Sequence, residues 1–160
     1  MLIRTPLSPI RPNVGIDDVE KKSQHRPGRY LAIQVAGKYY AFPNECVHEM
    51  MPVQELFPGS LPAESGLKGF LHTQSARVPV FDLHVRLGGA PRELRITPQT
   101  RIVVTEVHGV RTGFYADRLT DMIQARAHEI RKDSIVGHGR PKMILTLQHL
   151  WVPQELAALT

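Results

Sequence analysis

The sequence predicts an all-β fold, mainly strands with a few short helices, wrapped into barrels. Three observations carry that expectation. From Tyr30 onward, short runs of β-branched and aromatic residues recur at close spacing. Glycine, proline and polar residues separate one run from the next. Helical spacing is confined to brief stretches, too short to cover a parallel sheet. The chain has 160 residues, 42% hydrophobic and 22% charged, which suits one domain with a real core and not a disordered chain.

Residues 1–29 contain Pro6, Pro9, Pro12 and Pro27 with no sustained period. They are expected to form a flexible basic tail, with at most a short turn around residues 16–22 or a docking role for a partner. The single folded domain is expected over residues 30–160, its barrel halves roughly 30–92 and 93–153 with some sharing of strands. Leu31, Ile33 and Val35 alternate with Ala32 and Gln34, which predicts a strand with one buried face. Ala36-Gly37-Lys38 is a short turn, and residues 39–42 return as a hairpin. Pro43 breaks the ladder, and Asn44 is placed to cap a helical turn bringing Val47 and Met50 onto one face. Residues 52–66, rich in Pro, Gly and Ser, read as a loop.

Residues 67–73 and 77–82 read as a second hairpin. Pro79 has no N–H to donate, so the second of these strands is expected at an edge or a bulge. Asp82 is placed to cap a short helix over residues 83–87, which Gly88-Gly89 ends. Residues 88–98 form a polar connection. A third hairpin is expected from residues 101–107 and 110–117, turning at His108-Gly109. Residues 119–126 are β-like but less regular, and residues 134–138 and 143–147 close the set of strands. Leu147, Leu150 and Trp151 switch to helical spacing, which Pro153 limits.

Charge and cysteine content narrow the function classes. The formal net charge is +5, of which residues 1–29 carry +3, so the folded part is nearly balanced. A small basic barrel binding nucleic acid is an alternative, weakened by that balance and by only 6% aromatic residues. No stretch approaches the roughly 20 apolar residues of a membrane span, which argues against direct membrane insertion. Pro6 and Pro9 arrive before any apolar stretch forms, which argues against a secretory signal. The single cysteine, Cys46, fits a reducing compartment, and the protein is expected to be cytoplasmic.

Several strings, in order, resemble the CheW-like family of bacterial chemotaxis adaptors. Leu67-Lys68-Gly69-Phe70-Leu71 followed by Val78-Pro79-Val80-Phe81-Asp82-Leu83 is similar to the family's "I-(R/K)-G-V-I … V-P-V-I-D-L". Val47-His48-Glu49-Met50 resembles "V-x-E-(V/I)". Thr112-Gly113-Phe114-Tyr115-Ala116-Asp117 with Leu119-Thr120-Asp121-Met122 resembles "V-G-(I/L)-x-V-D-x-V-x-(D/E)-V", and residues 143–150 resemble "M-I-L-L-L-D-x-x-x-L". The likeness spans residues 30–156. It implies two packed five-stranded SH3-like barrels sharing one continuous core. It further implies an adaptor that couples methyl-accepting chemoreceptors, at their cytoplasmic tips, to a CheA-like histidine kinase. No catalysis and no cofactor are implied. Where the family usually carries "N-L-R-G", this chain has His72-Thr73-Gln74-Ser75. The amide of Gln74 cannot replace a charged guanidinium fork, and Ser75 tolerates positive backbone angles poorly. Either the turn differs or a partner contact is lost. The second option points to a divergent adaptor in a pilus-linked, twitching or other chemosensory pathway.

Candidate sites divide accordingly. Cys46, His48 and Glu49 lie close in sequence, but on a helical turn residues two apart point in different directions, so no shared metal or substrate is expected. Cys46 reads as a small packing residue. The eight histidines lack ligand spacing for zinc. The run from Gly137 to Lys142 superficially resembles a phosphate loop but precedes a β-like run, so it reads as a turn. Val47, Glu49, Gln74, Leu119 and Met122 are the candidate partner-binding positions. Their role rests on the resemblance, and local packing is the alternative. Apolar side chains beside one carboxylate would suit a small, exchangeable interface.

Overall fold

Eleven strands in two mixed sheets, of six and five, make up the computed structural model, which describes residues 25–59, 65–74, 77–107, 109–146 and 150. Gly28–Val35 (β1) and Lys38–Pro43 (β2) form the first hairpin. Its turn has positive φ at both Ala36 (51°) and Gly37 (79°), the pairing of backbone angles that matches the twist of two antiparallel strands. A 3-10 turn over Asn44–Cys46 leads into Val47–Pro52 (β3). Leu67–His72 (β4) and Arg77–Asp82 (β5) form the second hairpin, and Leu83–Arg86 is the one α-helix among the described residues (α1). Arg101–Val107 (β6) and Val110–Ala116 (β7) form the third. Arg118–Ala125 (β8), Ile130–Arg131 (β9), Ser134–Ile135 (β10) and Lys142–Ile144 (β11) complete the set.

The six-stranded sheet runs β9-β10-β11-β2-β1-β8 and the five-stranded sheet β3-β6-β7-β5-β4. Each draws strands from both sides of residue 92. Two contacts are parallel, β2 with β11 and β5 with β7, and every other strand pair is antiparallel.

Among the described residues the buried side chains form three clusters, the central one shared by both sheets. The central one joins the sheets: Leu31, Ile33 and Phe42 from the first meet Phe81, Val103 and Phe114 from the second. Phe114 lies with ring centroids 6.0 Å from Phe42 and 6.3 Å from Phe81, aromatic contacts that add roughly 0.5–1.5 kcal/mol each beyond area burial. A second cluster lies on the other side of the six-stranded sheet (Tyr30, Ala32, Ala41, Ile123, Ile135), and a third on the other side of the five-stranded one (Leu71, Val78, Val80, Ile102, Tyr115). This arrangement corrects the reading of β1: Leu31 and Ile33 face one cluster, Tyr30 and Ala32 another, so both faces are buried.

Further expectations change. Asn44 makes no side-chain cap, and residues 47–52 extend as a strand because Val47 through Pro52 pair with β6. The apparent helical spacing of Val47 and Met50 arises from a bulge: Val47 opposes Thr105 and Glu49 opposes Val104, leaving His48 as an extra residue. Pro79 lies on an interior strand. Its partner Phe70 turns its own N–H and C=O outward to Phe57 (both 2.8 Å), so the missing proline N–H faces β7, where pairing begins one residue later at Val80–Gly113. Residues 118–125 form a regular eight-residue strand apart from one bulge. The closing strands are shorter than expected, and β9 was not anticipated. The boundary drawn at residue 29 falls inside β1. Tyr30 donates its hydroxyl to Arg26 O (2.6 Å), and His25 Nε2 sits 3.1 Å from Asp133 Oδ1. The turn at 16–22, His108 and the helical spacing around Trp151 lie outside the described residues.

The edges are handled consistently. β3, β4 and β8 each carry a bulge, at His48, Lys68 and Thr120, and the fourth edge strand, β9, has only two residues. An irregular or very short edge offers a poor template for another strand.

Candidate partner-binding surface

β3 and β8 place four of the five candidate residues on open strand edges. Val47 begins β3 half-buried against the central cluster, while His48, Glu49 and Met50 are exposed. Glu49 Oε1 lies 3.9 Å from His48 Nε2, an exposed pair that contributes little. Val47 also borders a shallow cavity of about 520 Å³ with Glu45, Cys46, His48, Glu106 and Gly109. Burial, with Glu45 second, pushes the Cys46 thiol up, so it stays protonated at neutral pH. A protonated, half-buried thiol packed on the core is a poor nucleophile, which matches the packing role. Cys46 and His48 do not share one helical turn: Cys46 ends the 3-10 turn and His48 lies on β3.

On β8, Leu119 opposes Ile33 and Met122 opposes Leu31, so both face the side of the sheet that forms the central cluster. Leu119 packs against that cluster, and Met122, 42% exposed, continues the same face beyond its rim. In the row Phe42–Leu31–Met122, Phe42 lies at the end beside the 3-10 turn that leads to Val47, and Met122 lies at the other, across β1. Gln74 is exposed at the bend between β4 and β5 and forms no hydrogen bond among the described residues. Register puts that bend at the same end of the five-stranded sheet as Val47.

Behind these edges, Asp82 is the electrostatic anchor. Its fully buried carboxylate accepts from the His84 N–H at 3.1 Å, capping α1 as the sequence indicated. It also takes a two-pronged contact from Arg92, Nε to Oδ2 at 2.8 Å and Nη2 to Oδ1 at 3.1 Å. Hydrogen bonding to Asp82 raises the Arg92 pKa above its ordinary value. Arg92 Nη2 lies 3.8 Å from Asp117, whose other oxygen accepts the Ala36 N–H at 2.8 Å. One chain of contacts thus links α1, the 88–100 connection and the turns of both sheets.

A family model for the CheW-like domain matches residues 29–147. The chain belongs to this family. The solved scaffolding protein TtCheW from Thermoanaerobacter tengcongensis shares the fold, with a TM-score of 0.66 and 18% identity over 81% of this chain and 90% of that one. No curated protein matches the sequence.

In this CheW-like domain the strings read from sequence fall where the fold needs them. The Val78–Leu83 string is an interior strand running into the capped helix, and residues 112–122 are β7 passing into β8. Sequence reading missed Arg92, which lies in a stretch with no periodicity, and Met50, 43% exposed beside Glu49. It also missed Phe57, which is 53% exposed and stacks on His72 at 4.0 Å. Met50 was read as sharing one face of a helical turn with Val47, whereas it lies exposed on β3.

Proposed function

We propose that this CheW-like domain is a non-catalytic cytoplasmic adaptor that couples chemoreceptor cytoplasmic tips to a CheA-like histidine kinase. The observation that carries the reading is the family match together with the placement of its candidate residues. Val47 and Leu119 rest on the core that joins the sheets, and Met50, Glu49 and Met122 project beside them from two open edges. Because those edges are bulged, a partner meets side chains in preference to a continued ladder of backbone hydrogen bonds. Association with membrane-bound receptor arrays would be indirect. Among the described residues no helix is long and apolar enough to cross a membrane.

The test is calorimetry against kinase regulatory and receptor-tip fragments from the same organism. Met122→Asp should weaken one of these complexes by about 2 kcal/mol, since few residues dominate such interfaces, while the thermal midpoint stays in place. Val47→Asp is the poorer probe, because half-burial on the core means it also lowers stability. A well-folded protein that binds neither fragment refutes the coupling. A second reading, an adaptor of a pilus-linked or twitching pathway, is favoured by Gln74, which stands exposed where the family usually has arginine. Binding to the fragments of such a pathway and not to those of a flagellar one would select it.

A further inference from the structure

Where β6 begins and β7 turns into β8, the two sheets leave a notch of about 180 Å³ lined by Gln99, Arg101, Arg118 and Leu119. Register builds it. Arg101 opposes Ala116 on β7, the chain turns at Asp117, and Arg118 opens β8 opposite Gln34. Both arginines are partly buried, and both guanidiniums are held by neutral acceptors. Arg118 donates Nε to Gln34 Oε1 at 2.6 Å, and Arg101 donates Nη1 to Pro98 O at 2.8 Å and Thr100 O at 2.9 Å. Neither forms an ion pair with a described residue, and the described lining contains no carboxylate. Arg92 nearby is the contrast, its fork taken up by Asp82, while Asp117 is committed to Ala36 N–H and faces Arg92.

Two oriented cations in one concavity repel each other and keep N–H donors without a charged acceptor. A planar carboxylate matches that fork and relieves the repulsion. Leu119 supplies an apolar wall for the stem of the side chain that carries it. We propose that the Arg101–Arg118 notch receives a glutamate or aspartate side chain of a protein partner. The proposal rests on the adaptor reading and gives the chemistry of one contact within it. It assigns Gln99, Arg101 and Arg118 to the interface, none of which the sequence marked.

The test has two arms. In the first, the 15N-labelled full chain is titrated with N-acetylglutamate and, separately, with inorganic phosphate, following the arginine Nε–Hε signals. N-acetylglutamate should shift Arg101 and Arg118 along one saturable curve, and Arg118→Gln should weaken the response at Arg101 about tenfold, with Arg118→Lys intermediate because charge remains without the fork. No response beyond that of sodium chloride at equal ionic strength overturns the notch. Phosphate saturating about tenfold more tightly than the carboxylate, on the same charge-assisted scale, makes it a free-anion site and overturns the protein partner. In the second arm, Arg101→Gln and Arg118→Gln should each weaken binding to the kinase or receptor fragment about tenfold and flatten its salt dependence. Unchanged affinity in both variants overturns the contact. If the wild type binds neither fragment, the adaptor reading fails, and with it the protein partner proposed for the notch, whatever the first arm shows of anion binding.

Discussion

Replacing Arg92 by alanine would leave the Asp82 carboxylate, 0% exposed, with the His84 N–H as its remaining partner among the contacts described above. Removing one member of a buried pair costs about 3–5 kcal/mol, because the other charge stays desolvated. Arg92 is 28% exposed, so water can follow the departing side chain, and the lower end, about 3 kcal/mol, is expected. For a domain of this size that corresponds to a fall of roughly 6–12 °C in the thermal midpoint. Asp82→Asn keeps an oxygen for the helix cap and removes the charge, so it should cost less, about 1–2 kcal/mol. The ordering matters more than either value. The double variant, with neither charge, should be more stable than Arg92→Ala alone. Urea unfolding of the four proteins, with circular dichroism as the probe, measures this directly. An Arg92→Ala cost below about 1 kcal/mol, or a double variant less stable than that single one, would refute the view that desolvation sets the energy here.

Gly69 has φ +146°, and a Cβ there would meet Phe57 O at 2.6 Å and Leu56 Cβ at 2.8 Å. Gly69→Ala should therefore expel the 56–57 segment from β4, seen as lost protection of the Phe57 and Phe70 amides in hydrogen exchange. Arg86 donates to Leu150 O through Nε (2.9 Å) and Nη2, and to Ser65 O at 3.1 Å. Arg86→Ala should cost about 1–2 kcal/mol in urea unfolding and speed proteolysis near residue 150. Glu129 accepts from Arg126 N–H at 2.8 Å and lies 2.9 Å from His138 Nε2; those hydrogen bonds, the backbone one first, hold its pKa below the ordinary 4.5. The unfolded state then binds more protons in that range, so this stabilisation is complete above 4.5 and is lost as pH falls through the lower folded value. Glu129→Gln should remove that portion of the acid sensitivity, read from urea midpoints between pH 7 and pH 3.

Local chemistry was the legible part of this chain. A short turn at Ala36-Gly37 and a carboxylate positioned at Asp82 to cap a helix are fixed by neighbours in sequence, and both appear as read. The three hairpins were legible too, but pairing between strands distant in sequence was not. That Pro79 sits inside a sheet depends on β7 starting its ladder at Gly113, and that β1 is buried twice depends on strands more than 80 residues away. The bulge at His48 mimics helical spacing, because one inserted residue shifts a period of two toward three. Among the candidate residues, Met122 and Glu49 are exposed as an interface requires, whereas Val47 and Leu119 also serve the core. Arg92, Arg101 and Arg118 become significant only through distances, since a lone arginine in a polar stretch carries no pattern.

Pairing between strands far apart in sequence has a consequence for how the chain comes into being. β2 waits for β11, with Tyr40 beside Met143, and β1 waits for β8, with Tyr30 beside Ile123. β3 likewise waits for β6. During synthesis the first two hairpins leave the ribosome before their partners exist, so their apolar faces stay uncovered until the later strands emerge. Folding should be slow, late and concerted, and a fragment released at residue 92 should be captured by chaperones and not persist as half a protein. The bulges at His48 and Lys68 lie on strands that emerge early, where an irregular edge guards an unfinished chain against its neighbours on the same messenger.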